Sequence, residues 1–431
     1  MTEDYSTTDA SDRSRSGPRP IEGSRGARRL TLWTGIGLAV LAFGTLYPGL
    51  SRVGITFDEP QYFRSASRIQ DWVAGVVRGP DRADQLTETA IREVWDAERA
   101  RNPHPPAYKA VMAATEATFG RWTGSIVGFR IAPLLFFSLV VATVAWVAGA
   151  TWGGVAGGSA GLAVLLMPRL VGHAHIAATD MPLTAAWLIA CCGLALFVSG
   201  GRRRYLILGA AALGFGMATK FTAYLIPVSM LLWMIPFGLS KRGLIGASCW
   251  VALGLAVAWV ANPIAWLGPI AETGRLFAES LSREQHIAIR TYYMGKTWGY
   301  VVPRHHAFVM TLITVPLPIL VLATAGAISA ARRFLSGPIG ALCLLQILFF
   351  FALMAAPGSP HPDGVRLWLP MVPVVALLAG RGFAVLLGEL SRRLGGRRRL
   401  VAALAMATVF FVPPAVHARH VAPFYLSYYN E

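Results

Sequence analysis

LTLWTGIGLAVLAFGTLYPGL, residues 30–50, runs straight into SRVGITFDEPQYF, residues 51–63. The first stretch is 21 apolar or small residues without a charge, enough for an α-helix to cross a hydrocarbon core. It is too long for a signal-peptide core and has no evident small-residue cleavage site, so it reads as a signal anchor. The second stretch brings two adjacent carboxylates, Asp58 and Glu59, to the membrane face where that helix ends. A spanning helix followed at once by paired acids sets the question for the rest of the chain.

Apolar runs of similar length recur at roughly 126–149, 154–171, 181–199, 205–219, 222–239, 243–262, 307–329, 338–356, 367–388 and 400–416. Eleven runs over 431 residues, 55% of them hydrophobic and 14% charged, predict an all-α polytopic membrane protein. An ordinary soluble domain carries roughly 25% charged residues. The net charge of +17 does not indicate a nucleic-acid partner, because the arginines fall in clusters between apolar runs. These clusters are Arg202 to Arg204, Lys241 and Arg242, Arg332 and Arg333, and the run ending at Arg399. With the basic, Ser- and Gly-rich residues 1–29 as a disordered cytoplasmic tail, the clusters fall on the cytoplasmic side by the positive-inside rule. The four cysteines all lie in apolar stretches and predict buried side chains, not a disulfide framework.

This topology leaves three segments facing away from the cytoplasm: 51–124, 172–180 and 263–306. The first carries two amphipathic helical patterns, Ile69, Trp72, Val73 and Val76, then Ile91, Val94 and Trp95. A third helix, about 106–119, is a poor span because it contains Lys109 and Glu116, and is expected along the membrane surface.

The polar residues near these faces admit two readings each. Asp58 and Glu59 before Pro60 can cap a helix, or act as general base and cation ligand. Asp180 precedes the span at 181 and is open to the same pair of readings. His173 and His175, two apart, do not share a helix face and give little support for a zinc site. Lys220 and Arg366, each beside a span, either snorkel to the interface or bind a phosphate.

In these motifs the chain resembles the GT-C superfamily of lipid-dependent glycosyltransferases, especially family 39, which includes protein O-mannosyltransferases and the aminoarabinose transferases of lipid A. The elements are FDEPQYF at 57–63, NPHPPAY at 102–108, HIAATDMP at 175–182, GMATKF at 216–221 and DGVRLWLP at 363–370. The resemblance implies a GT-C domain at 30–431 that takes a sugar from a polyprenyl-phosphate carrier to an acceptor hydroxyl on a protein, lipid or glycan. The reaction is expected to be inverting and to occur outside the cytoplasm, in the plasma (inner) membrane. It makes Asp58, Glu59 and Asp180 candidate catalytic residues, Lys220 and Arg366 donor-phosphate ligands, and Tyr62, His104 and Tyr293 substrate-binding residues. A divalent cation, if used, would sit at Glu59 and Asp180.

The sequence departs from the family pattern in two places: His104 stands where some relatives have Lys, and His305-His306 replace a frequent aromatic pair. Many relatives carry a C-terminal domain on the outer side; the sequence stops at Glu431, so either that domain is absent or the sequence ends before it. A secondary transporter or flippase of lipid-linked substrates is the main rival reading, and it predicts polar breaks at mid-membrane and paired repeats. The acids here gather at one face instead.

Overall fold

The computed structural model describes residues 25–430 except 81, 97, 100–101, 283–289, 300, 362 and 393. Of the expected tail, 1–24 lie outside the described residues, whereas 25–29 already belong to helix α1 (Arg25–Leu46). Most of α1 is exposed, with Leu30, Trp33 and Val40 about two-thirds accessible. In a membrane protein that exposure is contact with lipid, where such side chains are stable.

The first loop then folds into α2 (Glu59–Arg78), α3 (Glu88–Trp95) and α4 (Ala107–Thr123). As expected, α2 and α3 are amphipathic: Ile69 and Ile91 are buried, and the two Trp-bearing faces meet where Trp72 crosses Trp95 edge to face at 5.1 Å. The helix expected on the surface is more deeply seated than its composition suggests. Tyr108, Lys109 and Met112 of α4 are all buried. Gly128 lets α4 approach, since a Cβ there would lie 3.1 Å from the α-carbons of Glu116 and Gly120.

The bundle continues through α5 (Ser125–Trp152), α6 (Gly154–Leu165), α7 (Pro168–Ala174), α8 (Asp180–Gly200), α9 (Arg203–Met217), α10 (Leu225–Phe237) and α11 (Lys241–Val260). Two short helices, α12 (Pro263–Trp266) and α13 (Pro269–Leu281), precede a two-stranded hairpin, β1 (Thr291–Tyr293) and β2 (Lys296–Trp298). The last five helices are α14 (His306–Thr314), α15 (Leu317–Ala331), α16 (Pro338–Ala355), α17 (Val372–Ser391) and α18 (Gly396–Val421).

All eleven expected runs are helical, yet they are not equivalent spans. Among the described residues seven helices are individually long and apolar enough to cross a membrane, or nine if two bent pairs count as one span each. The run 154–171 bends by 69° between α6 and α7, and the run 307–329 by 117° between α14 and α15. Proline is the cause in both: Pro168 opens α7, and Pro316 and Pro318 stand at the start of α15, where a ring replaces the N–H that would continue the ladder. The runs 205–219 and 222–239 form helices of 15 and 13 residues, short of a full hydrocarbon thickness at 1.5 Å per residue.

The core lies where α5, α6, α8 and α17 meet, built from small and β-branched side chains such as Val140, Val144, Ala160 and Ala376. Cys191, Cys192 and Cys343 are buried in it as expected, but Cys249 is exposed on α11. A tertiary polar link also crosses the core: Trp187 donates to Gln346, which donates to Ser229 at 3.1 Å.

Candidate active site

Asp58, Asp180, Lys220 and Arg366 converge at one end of this bundle from four separate segments. Asp180 opens α8 and is 2% exposed. One of its carboxylate oxygens accepts from Lys220 Nζ at 2.7 Å and the other from Arg366 Nε at 2.8 Å. Arg366 extends the chain further, donating Nη2 to Asp58 at 2.8 Å and Nη1 to Asp363 at 3.0 Å. A single guanidinium thus serves three carboxylates with three of its five donors, held in the fixed directions of its planar fork.

This geometry speaks against the capping reading of the two acids. Asp58 stands at the N-cap of α2 but makes no capping hydrogen bond, and Asp180 likewise leaves the start of α8 uncapped. Their carboxylates are committed to Arg366 and Lys220. Lys220 does not snorkel either: it is 4% exposed and paired. It follows the end of α9, in an extended residue between α9 and a short turn at Phe221–Tyr224.

Glu59 departs from the expectation. Its side chain is fully buried against Arg130 of α5, receiving Nε at 2.8 Å and Nη2 at 2.7 Å. The backbone N–H groups of Ala177 and Thr56 fill its remaining positions at 3.0 and 2.9 Å. Four donors saturate the roughly four acceptor sites of a carboxylate, so Glu59 has no lone pair for an acceptor or a cation. Arg130 spends its other donors on the carbonyls of Leu50, Val53 and Gly54. The pair is a rivet that fixes the 50–59 turn to α5 and to the loop before Asp180. A lone arginine inside the apolar run 126–149 was the sequence signal for it, because an intramembrane guanidinium requires a partner.

The expected metal ligands fare no better together. Glu59 is saturated and Asp180 is already neutralised by two cations, and no group of three His, Cys, Asp or Glu side chains suited to a metal occurs among the described residues. The donor set does not fit a divalent ion.

The three expected substrate-binding residues do not join the central ion-pair chain. Tyr62 is 1% exposed, its hydroxyl 3.4 Å from that of Thr179 and its ring edge-on to Tyr108. Burial raises the Tyr62 phenol well above its ordinary pKa, so it is a neutral wall beside Asp180. Tyr108, missed in the sequence, is also fully buried and its hydroxyl has no partner among the described residues. His104 faces a separate recess between the first loop and α13.

Tyr293 belongs to an aromatic cluster with His306, whose ring centroid lies 4.7 Å away, next to His361 and Trp368. Nδ1 of His306 and Nδ1 of His361 are 3.1 Å apart, while Nε2 of His361 meets the carbonyl of Met354 at 2.8 Å. Only a donor satisfies that carbonyl, so in the neutral ring His361 accepts at Nδ1 and His306 donates. Burial holds His361 below the usual histidine range. The cluster also carries Trp368, two residues from Arg366, whose indole donates to Thr311 of α14 at 3.0 Å.

Comparison with known proteins follows the same outline. Residues 103–266 match the family model described as dolichyl-phosphate-mannose-protein mannosyltransferase, a segment that includes Asp180 and Lys220 but not Asp58 or Arg366. No curated protein matches the chain by sequence. The fold is similar to that of ArnT from Cupriavidus metallidurans bound to undecaprenyl phosphate, with a TM-score of 0.59 at 15% identity over 91% of this chain and 72% of that one. It is also similar to the archaeal oligosaccharyltransferase AglB from Archaeoglobus fulgidus in complex with an inhibitory peptide and a dolichol-phosphate, with a TM-score of 0.56 at 13% identity over 92% of this chain and 56% of that one. A family signature over 103–266 and a fold similar to those two membrane proteins over more than nine-tenths of this chain are thus the likenesses that known proteins offer.

Proposed function

We propose that this enzyme transfers one sugar, with inversion, from a polyprenyl-phosphate carrier to an acceptor hydroxyl on the extracytoplasmic side of the plasma membrane. The observation that carries the reading is the chain Asp58–Arg366–Asp180–Lys220 at one end of an apolar bundle. It sets Arg366 against a carboxylate that has an exposed edge, Asp58 being one-quarter accessible, with Lys220 joined to the same guanidinium through Asp180.

In the reaction the acceptor oxygen forms a bond to the anomeric carbon as the bond from that carbon to the phosphate oxygen breaks. Asp58 takes the acceptor proton, and the electron pair leaves on the polyprenyl phosphate. Lys220 and Arg366 stabilise the charge gathering there. The resting ion pairs give this scheme an order of events: an arriving phosphate competes with Asp58 and Asp363 for Arg366, and so releases the carboxylate that must act as base. Asp180, held by both cations, keeps them in position and prevents their mutual repulsion from opening the site. The exposed apolar helix surfaces accommodate the prenyl tail. Protein, lipid and glycan acceptors share the required hydroxyl.

The test is to incubate the purified protein with a panel of polyprenyl-phosphate sugars and an acceptor mixture and to measure released polyprenyl phosphate. Release from at least one donor, lost in Lys220→Met, is expected. Absence of both binding and turnover across the panel would overturn the donor assignment.

A further inference from the structure

The short helix α13 is amphipathic in the opposite sense from a helix that faces water. Its three charged residues, Glu272, Arg275 and Glu279, turn toward α3 and the residues just after it. Glu272 pairs with Arg92 at 2.9 Å, Arg275 with Asp96 at 2.9 Å, and Glu279 with Arg99. The other side of α13 carries Ile270, Ala271, Gly274, Ala278 and Leu281, all exposed. At about 100° per residue these five positions form one stripe without a charge or a hydrogen-bonding side chain. Ile270 is 88% exposed and Leu281 74%. A continuous apolar face rimmed by polar groups marks a protein or membrane contact, not a surface for water.

The surroundings say which. Residues 261–268, half of them in α12, are all that separates α13 from α11, so α13 stays close to the level at which α11 ends. At that level Trp259 and Val260 are exposed on the outside of the bundle, and the indole of Trp266, also exposed, donates to the carbonyl of Trp259 at 2.8 Å. Paired tryptophans where a spanning helix stops mark the headgroup layer, which suits a ring with an apolar body and one N–H. The end of α11 is level with the end of α9, since a Cβ on Gly214 would lie 2.6 Å from that of Val257. Beyond α9 comes Lys220, and Phe277 of α13 meets Tyr224 in the next turn edge to face at 5.0 Å. The charged side of α13 is thus closed by the first loop, while its apolar side continues the lipid-facing surface of α11.

We propose that the stripe from Ile270 to Leu281 is a lipid-binding surface, seated in the headgroup layer of the leaflet at the end of the bundle that carries Asp58 and Lys220. The partner is the bilayer surface itself. A helix already tethered to a membrane span needs no charge to reach that surface, only an apolar face to lay on it.

Nitroxide labels on single cysteines test this in the full-length protein, in a cysteine-free background and in nanodiscs of phosphatidylcholine and phosphatidylglycerol. Ile270, Gly274, Ala278 and Leu281 are labelled one at a time; all four are exposed, and a Cβ on Gly274 meets nothing within 4 Å. Exposed Leu255 of α11 serves as the lipid reference and exposed Thr89 of α3 as the water reference. Collisions with oxygen, which concentrates in lipid, are compared with collisions with a water-soluble nickel chelate.

The ratio of oxygen to chelate should be several-fold higher at the four stripe positions than at Thr89, and close to that at Leu255. Stripe labels that meet the chelate as freely as Thr89 would place the face in water and overturn the proposal. Labels shielded from both probes would show that protein covers it, either a second copy or another chain, and would overturn it equally. Ile270→Glu then puts a charge on the same stripe and should move the ratio at Ala278 several-fold toward that at Thr89; an unmoved ratio would count against a lipid seat. None of these measurements uses a donor or an acceptor, so they judge the surface whether or not the transferase reading holds.

Discussion

Asp58 and Glu59 are neighbours in the chain with opposite fates, and substitution should separate them. Asp58→Asn keeps the size and a hydrogen-bond acceptor for Arg366 but cannot take a proton, so turnover should fall roughly 100- to 10,000-fold with normal membrane insertion. Near-normal turnover would move the search for a base to Asp180. Glu59→Gln, which sequence reasoning would rank as the milder change, should instead damage folding. It leaves Arg130 buried without its counter-ion, a loss of about 3–5 kcal/mol visible as poor yield or a lowered Tm. Lys109 offers the reverse case. Burial lowers its pKa from 10.5 to about 8, against the opposing pull of Asp96 and Glu98 and with help from Arg99. Between those values the unfolded chain binds the extra proton, so stability rises with pH across that window and the full cost is present below about pH 8. Lys109→Met should therefore raise stability near pH 7 by about 3 kcal/mol. That gain should vanish above about pH 10.5; a gain that persists at high pH would show that packing, not charge, is responsible.

The helices meet most closely at α15 and α17. A Cβ on Gly326 would lie 1.9 Å from the carbonyl oxygen of Leu378, and one on Gly382 the same distance from that of Leu322. Backbones this near need glycine on both sides, the way membrane helices gain packing when lipid offers no hydrophobic gradient between them. Gly326→Leu should force the pair apart and lower thermal stability by several degrees or more in detergent, whereas Gly37→Leu, which meets nothing within 4 Å, should not. Equal loss in both variants would refute the close packing. The break between α14 and α15 shows a different solution to a local conflict. Pro316 ends the ladder and exposes carbonyls, and Asn430 covers three of them: its backbone N–H binds Ile313 at 2.7 Å, and its side-chain amide binds Leu312 and Val315 at 2.6 and 2.7 Å. Because α14 also holds Trp368 through Thr311, this cap steadies the turn that presents Arg366.

At the scale of the molecule, the alternation of basic clusters and acidic ends makes a direct prediction about sidedness. Single cysteines placed beside Asp58 and Asp363 in a cysteine-free background should react with an impermeant reagent from outside intact cells. Cysteines beside Arg203 and Arg397 should not, and labelling in the reverse pattern would invert the topology. Much of this architecture could be read from the chain alone, because apolar length, proline and charge are local properties. They foretold eleven helical runs, the amphipathic pair in the first loop, and four of the residues that meet at the site: Asp58, Asp180, Lys220 and Arg366. They could not say which cation meets which acid, since these four residues lie as far as 308 positions apart and the choice is made by helix faces packing. For the same reason Glu59, adjacent to Asp58, belongs to Arg130 and not to the site. Nor could they show the recess at His104, whose walls come from stretches around 95, 102–109, 224 and 262 that hold no common motif. Local periodicity determined that the chain crosses a membrane with acids at one end; long-range packing in a solvent that rewards no particular apolar face decided which of those acids meet Lys220 and Arg366 and which is tied to Arg130.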